Sequence, residues 1–230
     1  MARNTATSDQ PAPRPRRRAR SIWRGLRWFG ARVLLLMLAL VGFYGLINPP
    51  TTWTIAREAT YPRQWTDIED MAPALPRSVV AAEDANFCLH WGFDMSEIRK
   101  VIASGSSRGA STLSQQTAKN VYLWQQRSWT RKVLETAFTP MIEALWSKRR
   151  ILEVYLNVAE FGPGIFGVHA ASAYHFGTTP DALSPAQAAR LAAVLPAPKS
   201  RGTAQASRRS RAIADGAETI LRDGRADCFQ

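Results

Sequence analysis

Glu83 and Asp84 stand side by side in the block AAEDANFCLHWGFD, residues 81–94, with Phe87, His90, Trp91 and Phe93 close behind them. A carboxyl group among aromatic side chains is costly to ionise. Desolvation moves its pKa toward the range where it trades protons at neutral pH, which is what a general base or acid requires. The run RGASTLSQQTAKN, residues 108–120, follows with small and amide side chains ending in Lys119, and RKVLE, residues 131–135, brings a second carboxylate, Glu135. Two separated carboxylates with cations and amides between them point to glycosyl chemistry on a substrate that carries phosphate.

Each of these groups also has an ordinary reading. Exposed backbone amides, Ser111, Thr112, Gln115 and Gln116 can hydrogen-bond sugar hydroxyls and Lys119 can meet a phosphate, yet by composition the stretch reads as a solvated loop running into a surface helix. Arg131, Lys132 and Glu135 share one helical face, and such a cluster by itself is a solvated ion-pair face. Lys148, Glu153 and Asn157 fall among the apolar Ile151, Leu152, Val154 and Leu156. The three histidines, His90, His169 and His175, have no pair at metal-ligand spacing on one helical face, which argues against zinc.

Helices must position these groups. The pattern predicts a helix from Ser78 as cap with Pro76 just outside it, then an amphipathic helix over DMSEIRKVIAS with Met95, Ile98, Val101 and Ile102 as one buried stripe, closed by Gly105. A long helical stretch runs on both sides of Pro140, which should kink or break it. Gly162, Gly164 and Gly167 mark a turn with close backbone packing, and no strand signal rises above a short apolar run. SPAQAARLAAVLPAP reads as a capped, alanine-rich core helix, and residues 203–224 as a last basic amphipathic one.

Composition bounds the rest. The chain has 230 residues, 46% of them hydrophobic, enough for one sizeable core. Its net charge is +12, but nine arginines against the single Asp9 in residues 1–32 account for +8 of it, so the folded part is only mildly basic and nucleic acid is not the expected partner. Residues 1–25 read as a disordered basic tail and 26–48 as a transmembrane anchor of about 20 apolar residues, the span a bilayer core needs. Residues 49–75, rich in proline, read as a connector, and 76–225 as the folded domain. Arginines before the apolar run and none clustered after it place the N-terminus in the cytoplasm and the domain outside. The rival reading, a cleaved signal peptide, lacks its small-residue cleavage site after Ile47. Cys88 and Cys228 lie 140 residues apart, and a free, buried Cys88 is expected.

The motifs together resemble the family 51 peptidoglycan glycosyltransferases. EDANFCLHWGFD is similar to that family's first motif, EDxxFxxHxGfD, and GASTLSQQTAKN to its second, GxSTIxQQxxKN, with Leu113 in place of isoleucine. RKVLE resembles the third, RKxxE, and KRRILEVYLN, residues 148–157, the fourth, KxxILExYLN. FGPGIFGVHAASAYHFG resembles the glycine-rich fifth, with His175 where tyrosine is usual and Thr178 where lysine is usual. The resemblance covers roughly residues 70–200, and with no transpeptidase segment following, it is to the monofunctional, membrane-anchored branch.

What this resemblance implies is a mainly α fold, a lysozyme-like lobe with a smaller membrane-proximal one, and polymerisation of lipid II at the outer face of the bacterial inner membrane. Glu83 would be the base and Glu135 a second catalytic carboxylate. Lys119, Arg131, Lys132, Ser111, Thr112, Gln115, Gln116, Asn120 and Arg108 would bind sugar and diphosphate, with Asp84, Phe87, His90, Lys148 and Asn157 in support. No cofactor is required, though a divalent cation, magnesium or manganese, at the diphosphate is left open. Lipid II, the growing lipid-linked glycan and the membrane are the implied partners, with penicillin-binding transpeptidases and division proteins as further ones. A lysozyme-like hydrolase and an inactive wall-synthesis scaffold are the rivals.

Overall fold

The computed structural model describes residues 16–105, 109–203 and 207–230. Arg16–Leu46 forms one helix, α1, so helical structure starts well before residue 26, inside the stretch expected to be disordered. Within α1, Trp23–Leu46 is long and apolar enough to cross a membrane, and its side chains are largely unburied. The described residues up to Leu40 form one compact unit and those from Val41 onward another.

The second unit is mainly helical, the class expected. Its helices after α1 are α2 (Trp53–Glu58), α3 (Ala74–Glu83), α4 (Met95–Ser104), α5 (Leu113–Tyr122), α6 (Trp129–Leu145), α7 (Lys148–Val158), α8 (Gly167–Phe176), α9 (Pro185–Val194) and α10 (Arg208–Arg222). Two groups carry the core. α3, α9 and α10 pack mutually around Leu75, Val79, Val80, Leu191, Ile213 and Ile220, while α5 lies against both α6 and α7 over Leu113, Ile142, Ile151 and Leu152. Side-chain caps mark the starts of most of these helices: Ser128 for α6, Ser147 for α7, Ser184 for α9 and Ser207 for α10 each accept a backbone N–H of the first turn.

Several local expectations are corrected. α3 starts at Ala74, so Pro76 lies in its first turn, where its missing N–H has no partner to lose, and Ser78 is buried inside the helix rather than capping it. α6 runs unbroken through Pro140, held by the buried Phe138 and Ile142 on either side. α4 exists and Gly105 closes it in the left-handed conformation, but its apolar stripe is not buried: Met95 and Ile102 are exposed, and α4 packs extensively against no other helix among the described residues. A short antiparallel hairpin, β1 (Glu160–Gly162) and β2 (Ile165–Phe166), replaces the plain turn. Gly164, at φ +71°, passes so near α2 that a Cβ would sit 2.3 Å from Thr60 Oγ1.

The cysteines are also corrected. Cys88 and Cys228 form a disulfide, because the fold brings the 87–89 turn onto the C-terminal segment. Around it Phe229 is buried beside Phe87, Arg149 Nη1 donates to Phe229 O at 3.1 Å, and Arg225 Nη1 donates to Ala85 O at 3.2 Å.

Candidate active site

Glu83 is the last residue of α3, at the seam where that helix group meets α5. Its Oε2 accepts a hydrogen bond from Gln116 Nε2 at 2.9 Å, and Gln116 Oε1 accepts one from Tyr155 Oη at 3.1 Å. Its Oε1 is buried and has no hydrogen-bond partner among the described residues. Burial raises the Glu83 pKa, against the opposing pull of the Gln116 hydrogen bond and the charges of Arg209, Lys119 and Arg201. Asp84, next in sequence, does different work. Its Oδ1 pairs with His90 Nε2 at 2.9 Å and its Oδ2 accepts from Leu113 N at 2.9 Å, tying the 84–90 loop to the start of α5.

α5 carries the groups between the carboxylates. Thr112 and Gln115 form a capping box, and Thr112 Oγ1 also donates to Gly92 O at 2.6 Å. Both are buried and line neither cleft, so the structure uses these two expected sugar ligands to start the helix. Gln116, Lys119 and Asn120 do line a cleft of about 380 Å³, with Tyr155, Glu160, Phe166 and the 195–200 segment as its other walls. Glu83 stands behind this wall, one hydrogen bond away through Gln116. Lys119 makes no hydrogen bond or ion pair among the described residues. Burial lowers its pKa, Arg131 and Lys132 add to that, and Glu135 and Glu83 oppose it, which makes it a desolvated cation between two carboxylates. With six of its ten residues buried, α5 is a core helix and not the surface helix that composition suggested.

The second carboxylate is treated differently. Glu135 is only 3% exposed, Arg131 Nη1 lies 2.7 Å from its Oε2, and Lys132 Nζ bonds its Oε1. The carboxylate is therefore a buried clamp on two cations, of which Lys132 stays partly exposed, and the cluster is not a simple solvated face. Lys132 Nζ also reaches Ser111 Oγ at 3.4 Å, and Ser111, Arg127, Ser128, Trp129, Arg131 and Lys132 line a second, open basic cleft of about 480 Å³. Glu135 offers a poor seat for a divalent cation, since both its oxygens are already held by cations and no group of three His, Cys, Asp or Glu stands together among the described residues. Arg108 lies outside the described residues.

The supporting residues form a buried frame. Lys148 Nζ donates to His90 O and to Glu143 Oε1, both at 2.8 Å, and sits 4.5 Å from the centre of the Phe87 ring. Glu143 also accepts from Ser114 Oγ, so one carboxylate that sequence reasoning missed joins α5, α6 and α7 to the first motif. Asn157 is fully buried and braces the connector by bonding both N and O of Thr66. His175 bridges Phe161 O at 2.9 Å and Thr203 Oγ1 at 2.8 Å and does not line either cleft. Arg209, also missed, is 3.7 Å from Glu83 Oε1.

The profile of the transglycosylase family matches residues 51–222, three quarters of the chain. The biosynthetic peptidoglycan transglycosylase of Jannaschia sp. (strain CCS1) is 50% identical over all of this chain and 99% of its own length. Proteins of the same name from Xanthomonas campestris pv. campestris (strain B100) and Pseudomonas aeruginosa PAO1 are 47% and 46% identical, over 83% and 78% of this chain and 84% and 82% of their own. A match of this extent, over a site with a desolvated carboxylate and a desolvated cation, makes the chain a member of the transglycosylase family and an enzyme of glycosyl transfer.

Proposed function

We propose that this enzyme polymerises lipid II into linear β-1,4-linked peptidoglycan strands by glycosyl transfer alone, releasing undecaprenyl diphosphate with inversion at the anomeric carbon. Glu83 takes the proton from the 4-hydroxyl of the acceptor sugar. That hydroxyl attacks the anomeric carbon of the lipid-linked donor, the bond to the diphosphate breaks, and the electron pair leaves with the diphosphate. Attack from the face opposite an α-linked leaving group needs no covalent enzyme intermediate. Lys119, Arg131 and Lys132 stabilise the departing negative charge, since preorganised cations act most strongly where water is scarce. Glu135 holds Arg131 and Lys132 in place.

The observation that carries this reading is the contrast around Lys119: Glu83, a buried carboxylate with one oxygen that has no hydrogen-bond partner among the described residues, and Glu135, whose two oxygens are both held by cations. A hydrolase has no use for three cations at a leaving group. The apolar span of α1 supports a membrane tether, which keeps the enzyme at high effective concentration beside a polyprenyl-linked substrate. In the second unit Leu89, Trp91, Met95 and Ile102 leave large apolar side chains exposed. The disulfide supports placing the domain in an oxidising compartment, outside the bacterial inner membrane, with the arginine-rich N-terminus in the cytoplasm.

The test is incubation of labelled lipid II with wild type, Glu83→Gln and Glu135→Gln. Polymer from wild type alone, with Glu83→Gln down at least about 10²-fold, is the expected result for loss of a general base. Shortening of preformed glycan without polymer formation would instead identify a hydrolase.

A further inference from the structure

Arg209 lies on α10, outside every motif that marks the site, yet its Nη2 is 3.7 Å from Glu83 Oε1. The same nitrogen donates to Ala82 O at 3.5 Å, the carbonyl one residue before the carboxylate. At 3.7 Å the guanidinium makes an ion pair without a hydrogen bond, so the lone pairs of Oε1 stay available. Arg131 and Lys132 do the reverse at Glu135, where both oxygens are occupied. A carboxylate that must accept a proton needs the first arrangement.

We propose that Arg209 is a positioning residue for the transfer reaction: held by the backbone of α3, it keeps Glu83 ionised from outside its hydrogen-bond shell. The proposal rests on Glu83 being the base. The groups that face Glu83 are Gln116 and Lys119 from α5, Tyr155 from α7 through Gln116, Arg201 from the segment after α9, and Arg209 from α10. Gln116 and Tyr155 are neutral. Lys119 is offset by the diphosphate once substrate binds, which leaves the arginines as the field that persists through turnover. Of these, Arg209 alone forms an ion pair with Glu83 among the described residues.

The experiment is the pH dependence of lipid II polymerisation by the full-length chain in detergent, for wild type, Arg209→Gln, Arg209→Lys and Glu83→Gln, with thermal melting of each. Removing a nearby positive charge raises the carboxyl pKa, so the acidic limb of the Arg209→Gln profile moves up by about one pH unit, the low end for a close opposite charge because Arg209 is partly exposed. Its alkaline plateau and its KM for lipid II stay at the wild-type values, and Arg209→Lys returns the limb most of the way. An unmoved limb in folded Arg209→Gln, or an equal loss at every pH with a raised KM, overturns the proposal while Glu83→Gln remains inactive. Full polymerisation by Glu83→Gln would instead remove the base assignment, and this proposal with it.

Discussion

Glu83 and Glu135 are both buried glutamates, and their surroundings assign them opposite electrostatics. Glu83 is held in a desolvated place with one hydrogen bond, so burial raises its pKa and ionisation costs more in the folded chain than in the unfolded one. A carboxyl whose folded pKa is raised contributes stability below its unfolded pKa and loses it as the pH rises through the folded one. Glu83→Gln should therefore raise the melting temperature at pH 8, by about 2–4 °C for each kcal/mol of relieved desolvation, and change it little at pH 4. Glu135→Gln should do the opposite at pH 8. It leaves Arg131 and Lys132 without their counter-charge and should lower stability by about 1–3 kcal/mol, discounted because Lys132 is partly exposed. Denaturation of the two variants at both pH values checks the pair. Glu83, Lys119 and Glu135 could be singled out in the sequence by the motifs that hold them, though each also had an ordinary reading, and the fold places all three around α5 and α6. Glu143 and Arg209 were not, since a single carboxylate or arginine on an amphipathic helix looks like any solvated charge until the partner helix is known.

At the scale of elements, the capping box at Thr112 and Gln115 and the bond from Asp84 to Leu113 N fix where α5 begins, and so where Gln116 and Lys119 point. Hydroxyl and amide residues before an apolar run carry two meanings, cap and ligand, and local sequence does not choose between them. α4 failed its expectation for a related reason. Apolar spacing predicts a face and says nothing about whether another protein element covers it. Glu143 shows how much one buried charge can join. Glu143→Ala would leave Lys148 buried beside Phe87 and free the Ser114 hydroxyl, at a cost of about 3–5 kcal/mol. Chemical denaturation should register that loss, and Glu143→Gln, which can still accept from Ser114 and Lys148, should lose less.

For the whole catalytic unit, helix order and the alanine-rich and basic final helices could be read from periodicity and caps, whereas the hairpin was too short to show a period. The pairing of Cys88 with Cys228 was invisible because 140 residues separate them and only the tertiary fold brings them together. Closing so long a loop restricts the unfolded chain, so Cys228→Ser should lower stability by about 2–5 kcal/mol. A lower melting temperature in dithiothreitol, equal to that of Cys228→Ser, would check it.

This crosslink also has a consequence for biogenesis. Cys88 can find its mate only after all of α10 and the segment beyond it have been synthesised, so oxidation is a late event in the protein's maturation. Until then the thiol at Cys88 remains open to alkylation, and a pulse of maleimide applied to nascent chains would report how many enzymes have finished assembly.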